Sequence, residues 1–406
     1  MTPNAILKDH LATYGFLYGP ETHPYGVSGL MSYGSTGKAL KNNLETEFRD
    51  IFCREDFAEI ETPVMMPAEA WEASGHLPQF KDEMFSTFTH HERSLYARPE
   101  IATTIYPLFG QLLRTNRGKM PLRIYQTGLS MPNDKQTEWQ TRTRQYTAHE
   151  GHLFLETGTF DEAERIAYLA QLAFELMNSA GISEEKITLK QKTDDDIPFY
   201  AKSACGLYYT SGDNTDLELL GIQYRSSRDF SAHSKQTGAN LKVNGAHPEV
   251  FEISFSTDRP LLVLLEGALK TVRDRVVMQL PDHLAPYPLQ IFSHEKRQNQ
   301  INKASDLKKM LAKKGVHAPV DENGSIGSRY KIADAVGTPF VITVDDNGIR
   351  DDTVTIRQRD TRVQRRVHTC DLVDSLPNNL SRKGVAEYLN TLFKKALHIE
   401  TGINSR

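Results

Sequence analysis

Residues 250–265 read VFEISFSTDRPLLVLL, and this stretch decides the fold of the chain. Its first half, up to Phe255, is typical of a strand. Its second half predicts a helix, because Asp258 can cap it, Pro260 falls in the first turn and four leucines at 261–265 form an apolar surface. The start of such a helix attracts anions. We therefore expect a strand that leads directly into an anion-binding helix start.

The residues that precede this stretch predict further strands and a few helices. A helical stripe runs through residues 36–53, and an edge strand follows at Ala58–Val64, since Pro63 disfavours a central position in a sheet. Strand-like pieces at Leu122–Gly128 and Gln145–Leu155 flank a polar segment and indicate a long hairpin. A helix at residues 160–180 and another strand at Glu218–Gln223 follow it. Because strands mostly follow strands, the pattern predicts an antiparallel α+β domain.

The pattern changes after a proline-rich linker at Pro281–Pro286. From Leu289 onward, strands alternate with helices, which favours an α/β domain. The helices are expected at Ile301–Lys314, Ile326–Val336 and Arg382–Leu397, and the later strands at Phe340–Val344 and Thr353–Arg357. We therefore predict two domains, at residues 1–284 and 285–406.

Bulk composition limits the class of protein. The chain has 406 residues, of which 39% are hydrophobic and 25% charged, as in soluble globular proteins of two or three domains. It has no apolar run of membrane-spanning length, and its first residues lack a basic and hydrophobic leader, so we expect a cytoplasmic protein without a membrane partner. The three cysteines form no CxxC pair, which argues against a disulfide framework and a structural zinc site.

The net charge of −4 is divided unequally along the chain. Lysine and arginine outnumber acidic residues after residue 285, whereas acidic residues dominate before it. This division fits a polyanion-binding module attached to a domain with an acidic pocket, and an exposed charged face explains it equally well.

Seven groups of short motifs follow one another over nearly the whole chain. They are Tyr25–Gly29 with Tyr33–Gly34, Glu59–Pro63 with Ser74–His76, Arg98–Ala102, Gln126–Gly128 with Arg142–Tyr146, Glu218–Ile222 with Arg225, Asp229 and His233, Glu252–Phe255 with Arg259, and Gly324–Tyr330 with Ala333–Phe340. In this order they resemble the glycyl-tRNA synthetase family of class II aminoacyl-tRNA synthetases. The resemblance implies an antiparallel-sheet catalytic core followed by an α/β anticodon-binding domain.

The resemblance also implies a reaction: ATP-dependent activation of glycine through a glycyl-adenylate, then transfer to tRNA. Such a site must neutralise phosphate charge and hold the ammonium of glycine separately. The family pattern assigns the glycine pocket to Glu100, Glu150, Glu252 and Ser254. Crowding by carboxylates excludes larger side chains sterically.

The family pattern likewise implies residues for the nucleotide. Arg259 and Arg225 are the expected catalytic residues, and ATP contacts are expected from Arg98, Asp134, Arg142, Glu218, Glu252 and Arg259. Mg²⁺ would accompany ATP near Glu218 and Glu252, without a metal site formed by protein groups alone. The segment at residues 30–80 is expected to form a homodimer.

The C-terminal block resembles the anticodon-binding domain of the family, and it continues with Thr355–Asp360 and Gln364. Arg329, Arg357 and Arg359 are the expected tRNA contacts, since guanidinium groups bind phosphates and stack on unpaired bases. Salt bridges to Asp351, Asp352 and Asp360 are the alternative role of the arginines in this block.

The chain departs from the family in its second motif. Pro132 stands where the family has an arginine that contacts the α-phosphate, and Lys135, Arg142 and Arg144 are the candidate replacements. Ser256–Thr257 stands where the family has glycine. These departures support an alternative function, a non-catalytic paralogue that binds tRNA or another nucleic acid, as a DNA polymerase accessory subunit does. Activation of glycine for an acceptor other than tRNA is disfavoured by the C-terminal block.

Two histidines, His149 and His152, flank Glu150 and raise the question of a metal site. We expect no such site, on the argument that strand alternation puts Glu150 opposite both histidines.

Overall fold

The computed structural model describes residues 5–89, 93–211, 215–272 and 275–398, which divide into two compact units. The first unit consists mainly of Tyr18–Ser32 and Leu44–Leu264. The second contains Ile6–Leu17, Tyr33–Asn43 and the described residues from Leu265 onward. These units are defined by contacts alone, so the functional division into residues 1–284 and 285–406 stays a prediction.

The strands are numbered in chain order over the described residues. They are β1 Leu17–Tyr18, β2 Ser32–Tyr33, β3 Ala58–Glu59, β4 Met65–Pro67, β5 Ser86–Phe88, β6 Ser94–Ala97, β7 Leu122–Ser130, β8 Tyr146–Leu155, β9 Ile187–Gln191, β10 Ser203–Thr210, β11 Asp216–Ser226, β12 Glu249–Ser256, β13 Leu269–Val272, β14 Arg275–Met278, β15 Leu289–Ser293, β16 Val320–Asp321, β17 Phe340–Val344, β18 Thr353–Gln358, β19 Gln364–His368 and β20 Leu397–His398.

The α-helices are α1 Ala5–Thr13, α2 Ser35–Arg54, α3 Ala68–Ser74, α4 His76–Phe80, α5 Ala102–Ile105, α6 Phe109–Thr115, α7 Glu162–Ser179, α8 Arg228–Thr237, α9 Asp258–Ala268, α10 Gln298–Lys313, α11 Ile326–Val336, α12 Asp346–Asp351, α13 Thr369–Val373 and α14 Arg382–Lys395. Short 3-10 helices occur at Pro20–Thr22, Lys81–Glu83, Tyr106–Leu108 and Glu184–Lys186. No helix of the described residues is long and apolar enough to cross a membrane.

The first unit is built on a seven-stranded sheet with the order β3-β7-β8-β12-β11-β10-β9. All neighbours are antiparallel except β3 and β7, which run parallel. The predicted antiparallel α+β architecture and the long hairpin, formed by β7 and β8, are confirmed. β3 lies at the edge of the sheet and ends at Glu59, before Pro63, which agrees with the expected edge position.

One apolar stripe of α2 explains why this helix packs tightly. The stripe residues predicted from the sequence are all buried, namely Leu40, Leu44, Phe48, Ile51 and Phe52. Phe52 stacks on Tyr125 of β7 with ring centroids 4.1 Å apart. A side chain at Gly151 of β8 would place its Cβ 2.6 Å from the Phe52 ring, so the glycine allows this close contact.

The strand β12 leads into α9 as the sequence predicts, with one difference at the junction. The helix begins at Asp258, so this residue lies in the first turn rather than at the cap. The N–H of Leu261 donates to the carbonyl oxygen of the buried Thr257 (3.1 Å), which closes the first turn. Helix starts shift by one residue easily because dihedral and hydrogen-bond limits differ there.

The second unit contains a six-stranded sheet with the order β16-β15-β17-β18-β19-β20. β15 runs parallel to both neighbours and the remaining pairs are antiparallel, in agreement with the predicted alternation of strands and helices. The connection between β17 and β18 contains α12. The core includes Ile291, Leu307, Phe340, Ile356 and Leu389.

Two N-terminal segments are part of the second unit. The ring Nε2 of His10 lies 2.9 Å from the carbonyl oxygen of Ala335. The side-chain amide of Asn43 donates to the carbonyl oxygens of Leu284 (3.1 Å) and Ala285 (2.9 Å). These buried hydrogen bonds fix both segments within this unit.

Candidate active site

A cavity of about 370 Å³ opens on one face of the seven-stranded sheet. It is bounded by β8, β11 and β12, by the loop between β7 and β8, and by Arg259 in the first turn of α9. The charged residues that line it are Glu100, Asp134, Arg142, Glu150, Lys192, Glu218, Glu252 and Arg259. Acidic and basic groups therefore meet in one cavity, as the reaction predicted from the sequence requires.

The register of the sheet brings the expected glycine-binding residues together. Ser254 of β12 pairs with Glu150 of β8, and Glu252 lies two residues before Ser254, on the same face. Glu100 approaches from the loop before α5. All four side chains line the cavity. Strand alternation accounts for the shared face of Glu252 and Ser254, whereas Glu150 comes from the neighbouring strand and Glu100 from a loop.

Arg225 forms ion pairs with two acidic residues of this cluster, Glu100 and Glu252. Its side chain is 1% exposed, and Nη1 donates to Glu252 Oε2 (2.8 Å) and Glu100 Oε2 (3.2 Å). Nε donates to Asp229 Oδ2 (3.0 Å), and the guanidinium lies over the ring of Tyr200, 4.1 Å from its centroid. Arg225 was expected to be a catalytic residue near the reacting groups. In the structure its guanidinium pairs with three carboxylates, and its catalytic role stays a prediction.

The two carboxyl groups beside Arg225 have pKa values shifted in opposite directions, although the cation acts to lower both. Burial acts to raise the pKa of Glu100, but Arg225 and His76 outweigh it and lower that pKa to about 2. Burial raises the pKa of Glu252 to about 7, with Glu150 acting in the same direction against Arg225. Glu100 is therefore a permanent anion near neutral pH, whereas Glu252 exchanges a proton there.

Glu150 and His152 lie side by side beneath the cavity. Oε1 of Glu150 accepts the backbone N–H of Ile101 (2.8 Å), and Oε2 lies 3.5 Å from Nε2 of His152. These two atoms are buried, and among the described residues neither has a hydrogen-bond partner. The expectation that both histidines lie opposite Glu150 is wrong for His152, because residues two apart on a strand share a face.

His149 does lie on the opposite face and is a core residue. Its ring stacks on Phe255 with centroids 4.8 Å apart, Nδ1 lies 2.6 Å from the hydroxyl of Tyr125, and Nε2 lies 2.9 Å from Oγ1 of Thr257. A histidine with both ring nitrogens occupied by internal partners has no free site for a metal.

Glu150, His152 and Glu252 each offer a ligand atom within 4.8 Å of the others. They are the group of described residues that could surround a small cation at the base of the cavity. Glu252 already accepts a hydrogen bond from Arg225 (2.8 Å), so a divalent metal would compete with a fixed guanidinium. An ammonium, which carries one charge and three donors, suits this acidic and partly compensated group better.

At the end of the cavity formed by the start of α9, Arg259 is held by two backbone carbonyl groups. Nε donates to the oxygen of Thr141 (2.9 Å) and Nη1 to the oxygen of Glu218 (2.8 Å). The guanidinium therefore faces the cavity at the start of α9, as predicted. Ser256 lines the cavity as well, whereas Thr257 turns away from it and its hydroxyl donates to Glu45 (3.1 Å).

The loop between β7 and β8 carries the altered motif. Pro132 lines the cavity. Of the three candidate replacements for the missing arginine, Arg142 lines the cavity, where it pairs with Asp134 (3.2 Å). Lys135 points to Glu83 instead, at 3.7 Å. Arg144 donates to the backbone oxygens of Asp134 and Ser28 and is held within the loop region.

Arg98 was expected to contact ATP, but the structure buries it inside the unit. It is 1% exposed, with Nε donating to the oxygen of Leu129 (2.7 Å) and Nη1 to the oxygen of Thr62 (3.0 Å). It is absent from the cavity lining among the described residues. Arg98 therefore links β7 to the segment before β4 through its hydrogen bonds to Leu129 and Thr62.

Four cavity or near-cavity residues were missed by sequence reasoning: Lys192, Tyr200, His76 and His152. Lys192 pairs with Glu218 (2.7 Å), and Tyr200 covers Arg225. His76, placed by its motif in the dimerisation segment, has Nε2 3.9 Å from Glu100. Strand alternation from Glu150 could have found His152, whereas the long-range contacts of the other three leave no local signal.

The three arginines expected to bind tRNA have internal partners in the second unit. Arg357 makes a buried bidentate pair with Asp334 (2.8 and 2.9 Å). Nη1 of Arg329 donates to the oxygen of Ser293 (2.6 Å), and Arg359 pairs with Asp360 (2.8 Å), which is one of the predicted alternatives. All three are buried. All three thus contribute to the internal structure of the unit, and their contact with tRNA stays a prediction.

Comparison with known proteins agrees with this architecture. Residues 290–379 match the anticodon binding domain family. Glycine–tRNA ligase of Mycoplasmopsis synoviae is 26% identical over 459 residues, covering 93% of this chain and 100% of the relative. That of Borreliella afzelii is 28% identical, covering 88% of this chain and 93% of the relative.

Solved structures share the fold at lower identity. Giardia lamblia prolyl-tRNA synthetase in complex with prolyl-adenylate has a TM-score of 0.71 and 19% identity, covering 97% of this chain and 81% of that one. The RNA binding domain of threonyl-tRNA synthetase from Cryptosporidium parvum has a TM-score of 0.72 and 17% identity, covering 91% and 98%. The chain thus has the class II aminoacyl-tRNA synthetase fold and is similar over most of its length to glycine–tRNA ligases.

Proposed function

We propose that the chain is a glycine–tRNA ligase, an enzyme that activates glycine with ATP through glycyl-adenylate and transfers it to tRNA. One observation carries the proposal: Glu100, Glu150, Glu252 and Ser254 line the same cavity as Arg259. The acidic end suits the ammonium of a small amino acid, and the cationic end suits a polyphosphate. The names of the sequence relatives and the anticodon-binding match support the same reaction.

The chain's own residues suggest how substrates would be placed. Glu150 lines the cavity and its Oε2 has no hydrogen-bond partner among the described residues, so this oxygen is the proposed acceptor for the ammonium. Arg225 would hold Glu100 and Glu252 apart from each other while it compensates their charge. Arg259 would contact the phosphates, because two carbonyl groups fix its guanidinium at the cavity. Positioning the carboxylate of glycine against the α-phosphorus then favours adenylate formation.

Mg²⁺ was expected near Glu218 and Glu252, but both carboxylates already form ion pairs with protein cations. Glu218 pairs with Lys192 (2.7 Å), and Glu252 pairs with Arg225 (2.8 Å). A metal ion prefers carboxylates that are not already neutralised by a fixed cation. No step of the proposed mechanism therefore passes through a metal held by these two residues.

Glycine-dependent exchange of pyrophosphate into ATP, followed by charging of tRNA, tests the proposal. We expect exchange with glycine and much weaker exchange with alanine, because crowding by the carboxylates at the acidic end disfavours a larger side chain. Pro132→Arg serves as a comparison and is expected to raise the rate, since a charge-assisted phosphate contact is worth roughly 3 kcal/mol in a transition state. Absence of both exchange and charging in the wild type would reject the ligase assignment.

A second candidate is a nucleic-acid-binding relative without catalysis, and Pro132 on the cavity wall favours it. Thermal unfolding with and without glycine separates the two candidates, because a ligand stabilises the folded state that binds it. A ligase should unfold at a higher temperature with glycine, whereas a binder that lost the reaction should respond only to nucleic acid. Dimerisation through residues 30–80 is proposed for either candidate, and sedimentation at micromolar concentration checks it.

A further inference from the structure

Lys192 places an ammonium group in the cavity at a point that neither motif nor family pattern indicated. It directly follows β9, and its backbone N–H donates to the oxygen of Ala204 (2.9 Å), which extends the pairing with β10 by one residue. Its side chain is 13% exposed and lines the cavity. Nζ lies 2.7 Å from Oε1 of Glu218.

The strand arrangement shows that this ion pair requires a gap in the sheet surface. Glu218 belongs to β11 and Lys192 follows β9, so β10 lies between them. Gly206 of β10 has no side chain at the crossing point, where a Cβ would come within 2.9 Å of Glu218 Oε1. The glycine thus allows the carboxylate to reach across a whole strand, and the pair is a built feature of the site.

Glu218 connects Lys192 with the cation at the helix start. Its carboxylate contacts Lys192, and its backbone oxygen accepts from Nη1 of Arg259 (2.8 Å). Two cations are therefore fixed on one residue at the same end of the cavity. An ammonium has three donors, and within the described residues the structure records Glu218 as its ion-pair partner. The remaining donors can serve an anion in the cavity.

We infer that Lys192 is a phosphate-binding residue, which clasps the polyphosphate of the nucleotide together with Arg259 while Glu218 orients the lysine. The inference rests on the proposed function for the identity of the ligand as a nucleoside triphosphate. It assigns Glu218 the role of a lysine partner, which explains why this carboxylate is not available to a metal ion.

The same strands supply a matched control. Lys190, two residues earlier on β9, forms an ion pair with Asp216, two residues before Glu218 on β11. Both side chains of this second pair are about two-fifths exposed (43% and 38%), and neither residue lines the cavity among the described residues. Lys190→Met therefore removes an equal charge from the same edge of the sheet without touching the proposed site.

The experiment is calorimetric titration of the full-length protein with adenosine, AMP and ATP, with Mg²⁺ and again with a chelator. Lys192→Met should weaken ATP binding at least tenfold, weaken AMP binding less and leave adenosine binding unchanged, because the effect grows with the number of phosphates. Lys190→Met should stay within twofold of the wild type. Should Lys192→Met fail to fold, Lys192→Gln, which can still hydrogen-bond to Glu218, carries the same expectation.

Several outcomes would overturn the inference: ATP affinity unchanged by Lys192→Met, an equal loss for adenosine and ATP, or a difference that disappears without Mg²⁺. The first outcome leaves the ligase proposal intact if the wild type still exchanges pyrophosphate. Conversely, a wild type that binds ATP through Lys192 but shows no glycine-dependent exchange rejects the ligase proposal and supports the phosphate contact.

Discussion

Replacing Glu252 by glutamine should flatten the dependence of stability on pH. Burial raises the pKa of this carboxyl from its ordinary 4.5 to about 7 in the folded protein. Below pH 4.5 both the folded and the unfolded chain hold the proton. Between pH 4.5 and 7 the unfolded chain releases it while the folded chain retains it, so this group lowers stability as pH rises.

The magnitude follows from the two pKa values. Each pH unit between them lowers the free energy of unfolding by about 1.4 kcal/mol, which gives a loss of about 3 kcal/mol by pH 7 and no further change above it. Glutamine has the shape of the protonated acid and can still accept from Nη1 of Arg225, which lies 2.8 Å from Glu252 Oε2. Glu252→Gln should therefore remove this loss without breaking the cluster.

Urea denaturation at half-unit steps from pH 4.5 to 8 measures the effect. The wild-type free energy of unfolding should fall by about 3 kcal/mol relative to Glu252→Gln over this range. Glu100→Gln is the matched comparison, because its pKa of about 2 means that its stabilisation is lost only as pH falls from 4.5 toward 2. That variant should be less stable throughout and keep most of the wild-type slope, because burial rather than Glu100 is the main cause of the raised pKa of Glu252. Parallel curves for Glu252→Gln and the wild type would refute the reasoning.

Three further substitutions test the structural roles assigned above. Arg225→Met should lower the free energy of unfolding by about 3–5 kcal/mol at pH 7, because it leaves Glu100, Glu252 and Asp229 without their shared cation. Arg228 is exposed, and Arg228→Met should change the free energy of unfolding by less than about 1 kcal/mol. Urea denaturation measures both variants, and equal effects would contradict the buried network. Gly206→Ala should destabilise the protein by about 1–3 kcal/mol, since its Cβ would lie 2.7 Å from the Tyr208 ring and 2.9 Å from Glu218. Gly267 on α9 has open space around it, so Gly267→Ala should be neutral or stabilising by up to about 1 kcal/mol. A thermal unfolding series that ranks the two variants the other way would count against the crossing at Gly206. Arg357→Met should destabilise the protein by about 3–5 kcal/mol through loss of the bidentate pair with Asp334, whereas Arg350→Met on the surface should not. If Arg357→Met keeps full stability but loses tRNA affinity in a filter-binding assay, the contact of Arg357 with RNA dominates instead.

The part of the fold that sequence could predict is the part with a clear local period. The hairpin of β7 and β8 alternates around a polar segment, and the stripe of α2 repeats at helical spacing, so both were found. The strand β10 was not found, because Gly206 interrupts its centre and its residues lack a polar and apolar alternation. A glycine in mid-strand lowers strand propensity, and its presence is explained by the Tyr208 ring and the Glu218 side chain, which leave no space for a Cβ.

The site divides in the same manner. Glu150, Glu252 and Ser254 converge because alternation and register are properties of the strands themselves. Arg98, Arg225 and Arg357 carry charges that suit phosphates, yet each is buried against acceptors supplied by residues far along the chain. Sequence shows that an arginine is present, but only the fold shows which acceptors use its five donors.

The N-terminal contribution to the second unit decides how this chain can be divided in the laboratory. A fragment that starts at residue 285 would lack Ile6–Leu17 and Tyr33–Asn43, and with them the partners of Ala335 and Ala285. Leu7, Leu11 and Phe16 are buried in the intact chain, so surfaces made for such side chains would face water in the fragment. An isolated anticodon-binding piece cut at the linker should therefore aggregate, and a soluble version requires these two segments fused or supplied as a peptide.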